Sequence, residues 1–201
     1  MIPAGTATVL PRPLQDLLFR QARTAHAFTD EPVTDEQVRL IHDLVRHGPT
    51  AFNSQPLRVV LVRSAAARAR LLPHLSSGNR AKTAAAPLVA VLAADTEFQH
   101  RLPELFPPEP RAAQWFGEQA AREQQARLNS ALQAGYFLIA VRAAGLAAGP
   151  MSGFDPAGVD AEFFPDGRLR SFLLVNIGRP GPNAWRERLP RLAYDEVVRE
   201  V

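Results

Sequence analysis

The chain has 201 residues, of which 46% are hydrophobic and 21% charged. That is enough for one compact domain and too apolar for a disordered chain. It contains no cysteine, which excludes disulfides, thiolate metal ligands and cysteine nucleophiles. The net charge is only +3, and Lys82 is the single lysine. The sequence pI of about 10.1 therefore reflects arginine usage rather than the clustered basic stripe of a nucleic-acid binder.

Residues 1–12 lack the basic-then-apolar pattern of a secretory leader. The longest apolar stretch, Ala134 to Ala148, is interrupted by Arg142 and too short for a membrane span. The expectation is a soluble, cytoplasmic protein, one domain over 1–201, with no nucleic-acid, membrane or metal partner.

In chain order, Leu14, Leu17, Leu18 and Gln21 predict a helix that starts after Pro13. Thr34 with Gln37 three residues on is a capping box. It opens a helix whose apolar stripe is Val38, Ile41, Leu44 and Val45, and Gly48-Pro49 ends it. Val59–Val62, Leu88–Leu92 and Phe172–Ile177 read as strands. They are apolar on both faces, so all three are expected in the centre of a sheet covered by helices on both sides.

The segment 101–111 carries four prolines and is expected to be neither helix nor central strand, but a surface excursion. From Gln114 to Ala148 the pattern Leu128, Ala131, Leu132, Gly135, Leu138, Ile139, Arg142, Leu146 is helical. Its small residues suit close packing of another helix. The whole is an α+β chain, a small sheet wrapped by helices.

No P-loop, no G-x-G-x-x-G and no nucleophile elbow is present, and His42 and His47 do not share a helix face as a zinc pair would. Five segments carry polar chemistry, each with a plainer alternative. Arg23-Thr24-Ala25-His26 places a hydroxyl between two cationic-capable side chains, or is a solvated turn. Gly48-Pro49-Thr50-Ala51-Phe52-Asn53-Ser54-Gln55-Pro56 offers amide donors and acceptors to a heterocycle edge, or is a capped loop. Asn79 and Lys82 lie about one helical turn apart, as a cation and an amide facing an electron-rich ring would, while Ser76 or Ser77 suits a helix N-cap.

Gly149-Pro150-Met151-Ser152-Gly153-Phe154-Asp155 would let a ligand approach the main chain, or is a helix-to-helix turn. Arg186 and Arg188 alternate in an extended stretch and point the same way, as a phosphate clamp does, or are ordinary surface arginines.

In this order the segments resemble the FMN-dependent nitroreductase family from about Arg23 to Pro190. The stretches LSSGN with Lys82, RLPELFP, RLNSALQAGYFLIAVRAAGL, GPMSGFD, LLVNIG and RLPRL are most similar to its malonic semialdehyde reductase subgroup. The resemblance implies a three-layer α+β fold and an intertwined homodimer with FMN at the subunit interface. NADH or NADPH would be the hydride donor, and malonic semialdehyde the substrate, reduced to 3-hydroxypropanoate. A broad nitroreductase or quinone reductase is the alternative, and a non-enzymatic flavin-binding dimer a further one.

Carried over by position, the resemblance puts Arg23, Thr24 and His26 in the first FMN-contacting segment. Asn53 and Gln55 fall near the ring, Asn79 and Lys82 at its pyrimidine side, and Pro150, Ser152 and Gly153 at N5 and O4. Arg186 and Arg188 fall on the phosphate. No side chain is expected to act as acid or base. The chain departs from many relatives in having Ala22 before Arg23, His26 where Lys or Arg is common, and Ser152 where Glu is common.

Overall fold

The computed structural model describes residues 9–201. Its sheet has four strands: β1 Leu57–Val62, β2 Leu88–Asp95, β3 Ala147–Met151 and β4 Leu169–Gly178. They lie in the order β1-β2-β4-β3, and every neighbouring pair is antiparallel. Eight helices surround them among the described residues: α1 Arg12–Gln15, α2 Asp35–Val45, α3 Ala65–Leu71, α4 Ser77–Ala85, α5 Leu102–Leu105, α6 Gln119–Ala143, α7 Pro156–Phe163 and α8 Tyr194–Val197.

The three layers follow from β2. All eight of its residues are buried. Because successive strand side chains point to opposite faces, Leu88, Ala90 and Leu92 pack under α2 and α6 with Ile41, Val45, Phe137 and Val141. Val89, Val91 and Ala93 pack on the other face with Leu71, Leu75, Val159 and Phe164. Each fully buried Leu or Val contributes roughly 1.5–3 kcal/mol, so a strand apolar on both faces has its best place between two helical layers.

The capping box forms as its spacing predicts. The Thr34 hydroxyl accepts from Gln37 N at 3.2 Å, and the Gln37 side chain accepts from Thr34 N at 2.9 Å. The first helix begins at Arg12, with Pro13 in its opening turn. It then widens into a π-type turn over Asp16–Arg20, closed by Gln21 N on Asp16 O at 2.9 Å.

Three expectations need correction. Val59–Val62 lies in β1, an edge strand, with Val59 38% exposed; only β2 and β4 are central. Gly149-Pro150 is not a helix-to-helix turn but part of β3, on the opposite edge, where a proline without an N–H is tolerated. The proline-rich excursion does contain a helix: α5 is four residues long and holds Pro103 in its first turn, where no N–H is needed. A small satellite core of Ala94, Phe98, Leu102, Ala112 and Ala126 anchors that excursion to α6. No described helix is long and apolar enough to cross a membrane.

One buried carboxylate closes the far end of the sheet. Asp95, fully buried at the end of β2, accepts from Arg58 at 2.7 Å and from Arg168 at 2.8 and 2.7 Å. Burial alone would raise its pKa, but the hydrogen bonds from Arg168 and Glu97 N and the charge of Arg58 hold it below the usual value.

Candidate functional site

The chain from Arg23 to Thr29 runs as an extended strap between the β3 edge and the segment after β4. Ala25 N bonds Ala148 O at 3.0 Å and His26 N bonds Ala184 O at 2.9 Å. Thr29 N bonds Arg179 O and Gly181 N bonds Ala27 O at 3.0 and 3.1 Å. These backbone bonds bring the first and last predicted segments side by side. Arg23, Thr24, His26, Arg186 and Arg188 then line one cleft of about 410 Å³, with Glu187 as its one lining carboxylate.

Lys82, on α4, lies near enough for its charge to act on the same group. Burial comes first and Arg186 second in pushing the Lys82 pKa down. His26 is likewise held below its ordinary value by burial, then by Arg186 and Lys82. Cations that oppose one another's charge in this way form a field that an anion would relieve.

The arginines divide their work. Arg188 Nη2 donates to Arg20 O at 2.7 Å and to Ala22 O at 3.2 Å, and Arg23 Nη1 donates to Arg186 O at 2.9 Å. Both clasp the cleft's own backbone. Arg186 has no side-chain hydrogen bond among the described residues, so it is the guanidinium open to a ligand. Arg186 and Arg188 thus differ in what their side chains already hold.

The segment after β3 forms the adjoining wall. Asn79 Nδ2 donates to Gly153 O at 2.8 Å, and Ser76 N donates to the same carbonyl at 3.1 Å. Ser76 stands at the N-cap position of α4, yet its side chain makes no capping bond.

The glycines allow the protein to pack closely on itself. A Cβ on Gly149 would lie 2.6 Å from Ala25 O. One on Gly153 would lie 2.7 Å from Asn79 Nδ2 and 2.8 Å from Ser76 Oγ. Pro150 pairs with Val175 inside β3, and Ser152 follows the strand, exposed.

Asn53 and Gln55 are not brought to this cleft. They sit in a turn where Phe52, Asn53 and Gln55 have φ of 55°, 50° and 43°. Left-handed backbone at three nearby non-glycine residues costs of order 1 kcal/mol or more each and persists only where the surroundings impose it.

Here they do. Asn129 Oδ1 on α6 accepts from Ala51 N at 2.7 Å, and Gln133 Oε1 one turn on accepts from Leu57 N at 3.0 Å. Asn53 Nδ2 donates to Leu105 O and Gln55 Nε2 donates to Asn53 Oδ1, both at 2.9 Å. Asn129 and Gln133 went unread in the sequence. Two amides four residues apart on a helix otherwise packed through small and apolar side chains were the available signal.

Gln55 also lines a second, mostly apolar groove of about 440 Å³ with Val38, Ile41, His42, Leu57 and Phe137. Beside it, Phe52 packs edge-on against Phe106, Trp115 and Phe116 at 5.6, 5.4 and 5.9 Å.

A sequence profile described as the nitroreductase family matches residues 19–179. The chain belongs to the nitroreductase family. It is 62% identical to a Streptomyces coelicolor protein named NADH dehydrogenase/NAD(P)H nitroreductase, over 96% of this chain and 98% of that one. It is 51% identical to a Leptothrix cholodnii protein of the same name, over 89% and 91%.

Among solved structures, the fold is similar to a nitroreductase from Bacillus subtilis, with TM-score 0.80 and 21% identity over 92% of this chain and 97% of that one. It is also similar to a nitroreductase in complex with FMN from Exiguobacterium sibiricum, with TM-score 0.83 and 18% identity over 98% and 99%. The three-layer α+β architecture is the nitroreductase fold.

Proposed function

We propose that this nitroreductase-family chain is an FMN-dependent NAD(P)H oxidoreductase. The observation that carries the reading is the cleft lined by Arg23, Thr24, His26, Arg186 and Arg188, where the charge of Lys82 also acts. FMN suits it chemically: a phosphate dianion and an electron-rich pyrimidine edge each want a cation, and the cleft volume falls in the ordinary ligand range. The names of its relatives support the NAD(P)H half of the reading.

Bound FMN would supply hydride transfer between the nicotinamide and an acceptor. The chain's own part is to bind and orient. Arg186, with His26, Thr24, Arg23 and Arg188 around it, would hold the phosphate end. Lys82 and the free oxygen of Asn79 would hold the pyrimidine side, and the backbone over Pro150, Ser152 and Gly153 would carry the ring edge. Lys82 would favour negative charge on the ring and so raise its potential.

For Asn53 and Gln55 to reach the same ligand a second copy of the chain would have to bring them, so the active form is inferred to be a homodimer. Support comes from exposed Leu128, Leu132 and Tyr136 at four-residue spacing on α6, with Leu40 and Leu44 on α2. Light scattering on the purified protein at micromolar concentration tests it: twice the chain mass is expected, and a monomer would contradict it.

The finer substrate reading is malonic semialdehyde, on the strength of GPMSGFD and RLPRL. A second reading, a flat aromatic acceptor such as a nitroaromatic, is favoured by exposed Phe52 and Trp115 beside the strained turn. Comparing kcat/KM for the two substrate types separates them. An absorption spectrum of the purified protein, followed by anaerobic NADH and NADPH titration, tests the activity class. Flavin bleaching by either nucleotide is expected. A colourless protein that gains no colour with added FMN would refute the reading.

A further inference from the structure

Two polar side chains outside the predicted set are buried against the sheet, where apolar ones would pack better. Asn176 and Thr83 are both 0% exposed. Asn176 sits in β4 between Val175 and Ile177, opposite Gly149 of β3. Its Nδ2 donates to Thr83 Oγ1 at 3.2 Å, and the Thr83 hydroxyl donates in turn to Met151 Sδ at 3.6 Å. Asn176 Oδ1 has no partner among the described residues. An amide in that place costs stability relative to a valine or leucine, so a plain packing role does not explain it.

The bonds do explain the placing of α4. Asn79 and Thr83 are four residues apart and share one helix face, spaced about 6 Å along the axis. Asn79 reaches Gly153 and Thr83 reaches Met151, two residues apart on an extended chain and so about 6.5–7 Å apart. The helix is thus pinned at two matching points, running antiparallel to the strand exit, with Asn176 behind the inner one. Sliding α4 by one residue breaks both. Lys82, next to Thr83, is turned about 100° from that face, and its charge is felt by His26 and opposed by Arg186.

We infer that Thr83 and Asn176 are positioning residues. They lock α4 onto the end of β3, so that Lys82 and the backbone at 152–153 present themselves to one ligand at a fixed separation. The inference rests on the flavin reading above for the ligand's identity, and on the hydrogen bonds alone for the register.

The test uses Thr83→Val, which removes the hydroxyl at nearly equal volume, and Thr83→Ser, which keeps it. Three readouts are taken: affinity of the apoprotein for FMN and for riboflavin, the flavin midpoint potential, and amide exchange at 152–154 in the flavin-free protein. Thr83→Val is expected to weaken both flavins in parallel, roughly five- to tenfold, the worth of about one hydrogen bond. It should also lower the potential and speed exchange at 152–154. Thr83→Ser is expected to restore all three despite losing a methyl group.

The double variant Thr83→Val/Asn176→Leu replaces both partners with apolar groups. It should recover stability, since swapping a whole polar pair is nearly neutral, yet keep the flavin deficit. Flavin affinity, potential and exchange all unchanged in Thr83→Val would overturn the inference. So would a deficit that disappears once the double variant restores stability. A wild-type protein that binds no flavin refutes the cofactor reading, and the exchange data then decide the register separately.

Discussion

The cationic cleft and the turn at 50–56 are built in opposite ways. The cleft assembles from backbone pairing among three distant segments, with its glycines allowing strap, strand and helix to touch. Its conformations are ordinary, and its unusual feature is charge. The turn carries no charge to speak of, and its unusual feature is strain, imposed by two amides of α6 and an aromatic cluster. The cationic lining of the cleft comes from one chain. The turn does not line it, and under the proposed homodimer it would meet the cleft of a second copy. Charge is therefore expected to govern cofactor affinity, and strain to govern how well the bound cofactor is used.

The largest effect expected is on the cleft side. Gly149→Ala puts a Cβ about 2.6 Å from Ala25 O, which must push the strap outward, at a cost of about 1–3 kcal/mol. Chemical denaturation and flavin titration should show losses in stability and in affinity together. Wild-type affinity in that variant would dissociate the strap from the site.

On the turn side, Asn129→Ala leaves Ala51 N without its partner, costing about 1–3 kcal/mol where the group stays buried. Turnover should fall more than FMN affinity, read by kcat against Kd. An equal fall in both would erase the contrast between the regions.

Gln55→Gly relieves a φ of 43°, a gain of roughly 1 kcal/mol offset by glycine's greater backbone freedom in the unfolded chain. Stability is expected to hold or rise slightly while turnover drops. Undiminished turnover would mean that the strain serves folding rather than function.

The smallest effect is the pH dependence of the cleft. In the empty cleft His26 titrates below its ordinary value. The unfolded chain therefore takes up this proton first as pH falls, and the apoprotein loses stability below about 6.5. A bound phosphate reverses the sign, because it favours the imidazolium. FMN affinity should therefore fall as pH rises through the His26 pKa of the complex. His26→Gln should abolish that slope, measured against riboflavin, which carries no phosphate. A slope that persists in His26→Gln would assign it to another group.

The contrast also explains what the sequence could say. The capping box at Thr34 and Gln37 and the strands β2 and β4 were legible because they rest on local chemistry and on burial on both faces. β3 was not, because Gly149 and Pro150 read locally as a turn, and its pairing with β4 is a long-range fact. The edge position of β1 was hidden for the same reason: Val59–Val62 is apolar enough for a central strand.

Every predicted cleft residue had a plain local explanation, and the strap's bonds to Ala148 and Ala184 are what join them. The strain at Phe52, Asn53 and Gln55 was invisible, since no glycine marks it. The uneven roles of Arg186 and Arg188 depend on where Arg20 and Ala22 place their carbonyls.

The central claim is that Arg186 is the open cation of a phosphate-holding cleft. The direct measurement is calorimetric titration of the apoprotein with FMN and with riboflavin, in the wild type and in Arg186→Ala. The wild type should bind FMN far more tightly than riboflavin. Arg186→Ala should lose about ten- to a hundredfold in FMN affinity, the scale of a charged hydrogen bond, and leave riboflavin nearly unchanged. Equal affinity for the two flavins in the wild type, or an FMN affinity untouched by Arg186→Ala, would contradict it.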